Sequence, residues 1–303
     1  MTTREFFIKG GRLRPTWRVV CYVFALMAGT IAIGLPIGVL LVVMTAMGVL
    51  DQTAVMEMES TFAGLALSVL VSMILALPLT YFFRRFLDKD TMVNLGFDRK
   101  PGWWKEILGG LALGALLMGL VFLLEWAAGW LQVYGFAWQA QSSSTTILTL
   151  LGYVIILGLG AFWEELSFRG YILQNLNVDW AAIVALVASS ILFGLSHVLN
   201  PNVTWLSLFN IFLAGVVLAI CYLTTRQLWL PIAFHFSWNF FQGPIFSFPV
   251  SGISTSGLLL TQITGNSLIT GGPFGPEAGV IGTFALVIGL LILWEWHRIG
   301  MGK

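Results

Sequence analysis

Eight stretches of this sequence run for about 20 residues with hardly a charge, the length an α-helix needs to cross a bilayer. The runs are continuous rather than alternating, so they specify spanning helices and not the strands of a membrane barrel. Of 303 residues, 58% are hydrophobic and only 10% charged, with a mean hydropathy of +0.89. Soluble domains run near a quarter charged. The fold class is therefore all-α, a polytopic transmembrane helix bundle. Its spans are expected at about 17–50, 61–83, 105–133, 147–176, 180–198, 203–224, 228–248 and 278–296. The whole chain, 1–303, reads as a single integral membrane domain, with its chemistry-bearing core at about 147–248.

The cations orient this bundle. All fifteen Lys and Arg fall at the N-terminus, after span two, beside the end of span four, after span six, or at the C-terminus. None lies in the loops after spans one, three, five or seven, so the positive-inside rule places both termini in the cytoplasm. An acidic loop over 51–60 holds Asp51, Glu57 and Glu59 on the opposite side. A net charge of +1 argues against a nucleic-acid partner. Cys21 and Cys221 sit inside apolar runs and read as small buried hydrophobes. The first run is too long for a signal-peptide core. Thirteen tryptophans read as interfacial belts, and Glu125, Glu295 and His297 as residues of span ends.

Against this background, Glu164 and Glu165 follow an uncharged run from Ile147 to Gly160. Ionisable groups at bilayer depth are costly and persist where they serve a purpose. Arg169 is four residues after Glu165 and shares its helical face, so the two can pair. Glu164 is rotated by roughly 100° and is left available for chemistry. Only three histidines exist, and two lie within spans: His197, preceded by Phe193, and His235, followed one turn later by Asn239. At about 1.5 Å per residue, Glu164, His235 and Asn239 fall in one slab of membrane. His197 joins them only if its helix tilts or unwinds at the end. Such a set makes a hydrolase. Glu164, helped by His197, takes a proton from water, while His235 and Asn239 bind the oxyanion.

These residues form three ordered motifs: Glu164-Glu165-x-x-x-Arg169-Gly170, Phe193-x-x-x-His197 and His235-x-x-x-Asn239. Together they resemble the CPBP family, the CAAX-protease and bacteriocin-processing membrane proteins, which include Rce1-type II CAAX prenyl endopeptidases and bacterial Abi proteins. Asn94-Leu95-Gly96-Phe97 is similar to that family's approach to its core. The resemblance implies an eight-helix intramembrane endopeptidase acting on a membrane-associated or prenylated peptide or protein. It makes Glu164 the water-activating residue assisted by His197, His235 and Asn239 the oxyanion site, and Glu165, Arg169 and Phe193 the support.

A glutamate mechanism without a cofactor is the preferred expectation. His-Glu-x-x-His is absent, but zinc held by Glu164, His197 and His235 is the metalloprotease alternative. A catalytically silent bacteriocin-immunity or scaffold protein is a competing class, since motifs mark capacity rather than use. A proton-coupled transporter is another, although no inverted repeat supports it. The serine context for a nucleophile elbow is missing at Ser143 and Ser196. The Gly/Ser/Thr-rich segment 250–277 suggests a lid or substrate gate, and the expected location is a prokaryotic cell membrane with the bilayer as partner.

Overall fold

The computed structural model describes residues 3–58, 61–255 and 257–298. Glu59, Ser60 and Lys303 lie outside the described residues, as do the side chains of Glu57 and His297. Eight apolar helices form the bundle: α1 Pro15–Ala46, α2 Phe62–Phe82, α3 Trp103–Ala127, α4 Ser143–Glu165, α5 Ala182–Leu195, α6 Trp205–Thr225, α7 Trp229–Phe240 and α8 Val280–Arg298. Five helical stretches are long and apolar enough to cross a membrane: Pro15–Ala46, Phe62–Asp88, Trp103–Ala127, Ser143–Asp179 and Trp205–Thr225. α5 and α8 are shorter apolar helices, and α7 is prolonged by a π-helical turn, Phe241–Ile245.

Helix starts are closed locally, as a low-dielectric medium demands of free backbone N–H groups. Thr61 accepts from the Gly64 N–H, Ser142 accepts from the Thr145 N–H, and Thr204 and Ser207 form a reciprocal capping box. Pro15 stands at the first turn of α1, where its missing donor costs nothing.

On the side read as cytoplasmic, a short hairpin precedes α1, pairing β1 Ile8–Lys9 with β2 Arg12–Leu13. Asp88 then ties three elements together. It accepts from Arg18 on α1 at 2.9 Å, from Arg84 at 3.2 Å and from Asn175 beyond α4 at 3.3 Å. The Asn94–Phe97 segment buttresses the start of α7, with the Gly96 carbonyl accepting the Leu228 N–H at 2.8 Å.

Four sequence expectations are corrected. Span three does not reach residue 133: α3 stops at Ala127, Gly129 turns with φ +75°, and the chain continues as β3, Leu131–Phe136. β3 pairs antiparallel with β4, Leu259–Ile263, in the register Leu131↔Ile263. Hence 250–277 is a pinned wall, with Phe274 and Pro276 buried, and not a free flap. Cys21 is exposed on α1, so only Cys221 is buried. Glu125 is fully buried, and neither carboxylate oxygen has a hydrogen-bond partner among the described residues, whereas Glu295 is half-exposed and paired with Arg298. Returning β3 packs against the end of α3, where Glu125 is buried while Trp126 beside it is exposed.

α7, which carries His235, is set by backbone contact with α3. A Cβ on Gly110 would lie 2.6 Å from the Leu230 carbonyl oxygen, and one on Gly114 would lie 2.6 Å from the Trp238 nitrogen. The Ser237 hydroxyl donates to the Leu111 carbonyl across the same seam at 2.7 Å. Small residues four apart allow this approach where lipid gives no hydrophobic drive for association. Gly114→Leu is expected to cost on the order of 3 kcal/mol through overpacking and to lower the melting temperature in detergent. A Cβ on Gly119, on the same helix, meets nothing within 4 Å, so Gly119→Ala serves as the control. Equal melting temperatures for the two variants would contradict a close α3–α7 seam.

Candidate active site

At the end of α4 the helix widens into a π-helical segment, Leu166–Leu173, every residue of which is buried. Such widening is rare and clusters at functional sites. Arg169 lies inside it with no exposure at all. Its Nη1 donates to Glu165 Oε1 at 2.9 Å, and its Nη2 donates to the Gly215 carbonyl of α6 at 3.1 Å. Its guanidinium carbon stands 4.3 Å from the Phe193 ring centroid, a cation–π contact shielded from water. Gly215 is compact by need, since a Cβ there would meet the Ser190 Cβ at 3.0 Å.

Glu165 does more than hold Arg169. The same Oε1 accepts from His235 Nδ1 at 2.9 Å, linking α4 to α7. A carboxylate only accepts, so the proton on Nδ1 is fixed and Nε2 becomes the ring atom available for chemistry. That Nε2 lies 3.8 Å from Glu164 Oε2. Glu164 has no arginine partner; its side chain is one-fifth exposed and its Oε2 makes no hydrogen bond among the described residues. The adjacent glutamates thus divide as their helical phase demands, one doubly engaged and one open.

His197 lies beyond the last residue of α5, in a turn, so the unwound helix end needed to bring it level is present. Its Nδ1 bonds the Phe193 carbonyl at 2.9 Å and lies 3.1 Å from the Ser196 hydroxyl. A carbonyl cannot donate, so Nδ1 carries the proton and Nε2 is free. Phe193 is packed at the centre of the group. Its ring centroid lies 5.0 Å from that of His197, 6.0 Å from that of His235, and beneath Arg169.

Glu164, His197, His235 and Asn239 all line one cavity of about 780 Å³. Its flank is apolar, built from α1 and α2 through residues such as Leu26, Met27, Leu65 and Val69, and no lysine or arginine lines it. Sequence reading missed two members of the surroundings. One is the Glu165–His235 bond; the other is Glu277, which also lines the cavity. Burial pushes the Glu277 carboxyl up from its ordinary value. Hydrogen bonds from Ser251 and Gln242, and the charge of nearby His197, hold it back only in part. As the sole ionisable residue of 250–277, Glu277 was the one signal the sequence offered for it.

His235 Nδ1 is committed to Glu165 and His197 Nδ1 to a carbonyl, which leaves both Nε2 atoms free, as they are in a histidine that ligates a metal. Among the described residues no three His, Cys, Asp or Glu side chains are grouped to hold a metal ion.

All the motif residues sit on α4, the π-helical segment after it, α5 with its closing turn, and α7. Residues 146–241 match the family model of Rce1-like type II CAAX prenyl endopeptidases. The matched segment includes Glu164, Glu165, Arg169, Phe193, His197, His235 and Asn239, and leaves out α1 to α3, α8 and Glu277. No curated protein and no solved structure matches the chain. The match covers less than half of the chain, and the several long apolar helices fit an integral membrane protein.

Arg169→Met leaves Glu165 buried without its cation and is expected to cost about 3–5 kcal/mol, seen as a loss of folded protein in detergent. Glu165→Gln combined with Arg169→Met removes both charges and should recover part of that loss. A single Arg169→Met variant as stable as wild type would contradict the pairing.

Proposed function

We propose that the chain is an intramembrane endopeptidase of the CAAX-protease type, hydrolysing a peptide bond in a membrane-associated or lipidated substrate with water activated by Glu164. The observation that carries this reading is the unequal state of the two glutamates. Glu165 is wholly buried and its Oε1 is held by both Arg169 and His235, while Glu164 is one-fifth exposed, has no arginine partner and lines the cavity. Glu164 takes a proton from a water as that water's oxygen attacks the substrate carbonyl carbon. His197, through the Nε2 left free by its Phe193 bond, helps orient the same water.

The carbonyl oxygen then gains charge beside His235 and Asn239, which lie one helical turn apart on α7. Held between two carboxylates as an imidazolium, His235 offers Nε2–H to the oxyanion, and the Asn239 carboxamide offers a second donor. Glu164 returns the proton to the departing amine, so no net proton is lost. The apolar flank of the cavity suits an aliphatic or prenyl chain near the scissile bond. No step is routed through a metal, and we place the chain in a prokaryotic cell membrane.

Purified protein in detergent micelles, offered hydrophobic and prenylated C-terminal peptides, is expected to cleave a subset of them. Glu164→Gln should lower turnover by roughly 10²–10⁴-fold with the fold retained. Asn239→Ala should lower it by roughly 10²–10³-fold. Chelators should leave turnover unchanged. Full activity in Glu164→Gln would remove the water-activation role, and loss on chelation with rescue by zinc would restore the metalloprotease reading.

A further inference from the structure

Outside the matched segment, one carboxylate reaches the cavity from near the start of α8. Glu277 is held hard: its Oε2 accepts from the Ser251 N–H at 2.6 Å, the Ser251 hydroxyl at 3.1 Å and Gln242 Nε2 at 3.2 Å. Gln242 is itself fully buried and also donates to the Pro249 carbonyl at 2.6 Å. The segment that delivers Glu277 grips the turn that delivers His197. Asn200 Nδ2 donates to the Ser251 carbonyl at 2.9 Å, and a Cβ on Gly252 would stand 2.1 Å from the Pro201 carbonyl oxygen. His197 lies past the end of α5, tied to that helix by its bond to the Phe193 carbonyl, and the turn on which it stands is gripped from this segment. Glu277 and His197 line the same cavity, and the Ser251 that donates to Glu277 accepts from Asn200 in the His197 turn.

We infer that Glu277 is a positioning residue for His197. The carboxylate fixes that imidazole electrostatically, while its segment fixes the turn beneath it, so that Nε2 is held toward the water on Glu164. This rests on the water-activation reading, and it gives the pinned wall 250–277 a role at the site. Three hydrogen-bond donors on one oxygen hold the carboxylate in place at the cavity wall.

Glu277→Gln tests it, because the amide oxygen can still accept from Ser251 while the negative charge is gone. The chain holds only three histidines, so selective nitrogen labelling of histidine in micelles gives separable ring signals, with His297→Gln assigning the distal one. In Glu277→Gln the His197 ring signals should move while those of His297 stay. Turnover on a cleaved library peptide should fall roughly 10–100-fold with KM within about twofold. If Glu277→Gln does not fold, Ser251→Ala, which keeps the backbone N–H and drops the hydroxyl, should move the His197 signals by a smaller amount in the same direction. Unchanged His197 signals and unchanged turnover in the folded variant would overturn the inference. If the wild-type protein cleaves no peptide, the ring signals alone decide whether Glu277 governs His197, separately from the fate of the protease reading.

Discussion

A buried cation organises this molecule. Arg169 has no access to solvent, and its charge is answered by Glu165 on its own helix, a carbonyl of α6 and the face of Phe193 on α5. Taking a guanidinium and a carboxylate out of water costs several kcal/mol per ion, repaid only by close geometry on every side. Such a pair is poor glue and a good locator. It ties the end of α4 to α6 by a hydrogen bond and to α5 by a ring contact. Through the second bond of Glu165 it also fixes the rotation of α7, and so the direction of His235. The open glutamate next to it inherits a rigid frame.

The sequence made part of this legible because helical phase is a local property. Arg169 four residues after Glu165 dictates a pair, and Asn239 four residues after His235 dictates a shared face; both hold. Apolar run length placed the helices to within a few residues, as at α6 and α8. What stayed hidden was non-local. Glu165 and His235 are separated by 70 positions, and no periodicity links them. Nor does a period foretell that Gly110 and Gly114 let α3 touch the backbone of α7.

Glu125 shows that nearness to a helix end does not decide exposure. Its place in the chain reads as that of a span-end carboxylate. With the helix ended at Ala127 and the chain folded back as β3 against β4, the same side chain is sealed in the interior. Uncharged composition made 250–277 resemble a flexible gate, yet its glycines serve close backbone approach, as where Gly275 meets the Pro249 carbonyl. Composition alone cannot separate a loop free to move from one packed too tightly for side chains.

The account's central claim is that Glu164 acts on water and never on the substrate itself. Single-turnover cleavage in water enriched in heavy oxygen, followed by mass spectrometry of both product and protein, tests it most directly. The heavy atom is expected in the new carboxyl terminus of the cleaved peptide, with the Glu164 side chain unlabelled. Heavy oxygen in Glu164 after one turnover would mean that its carboxylate attacked the peptide, and would contradict the account.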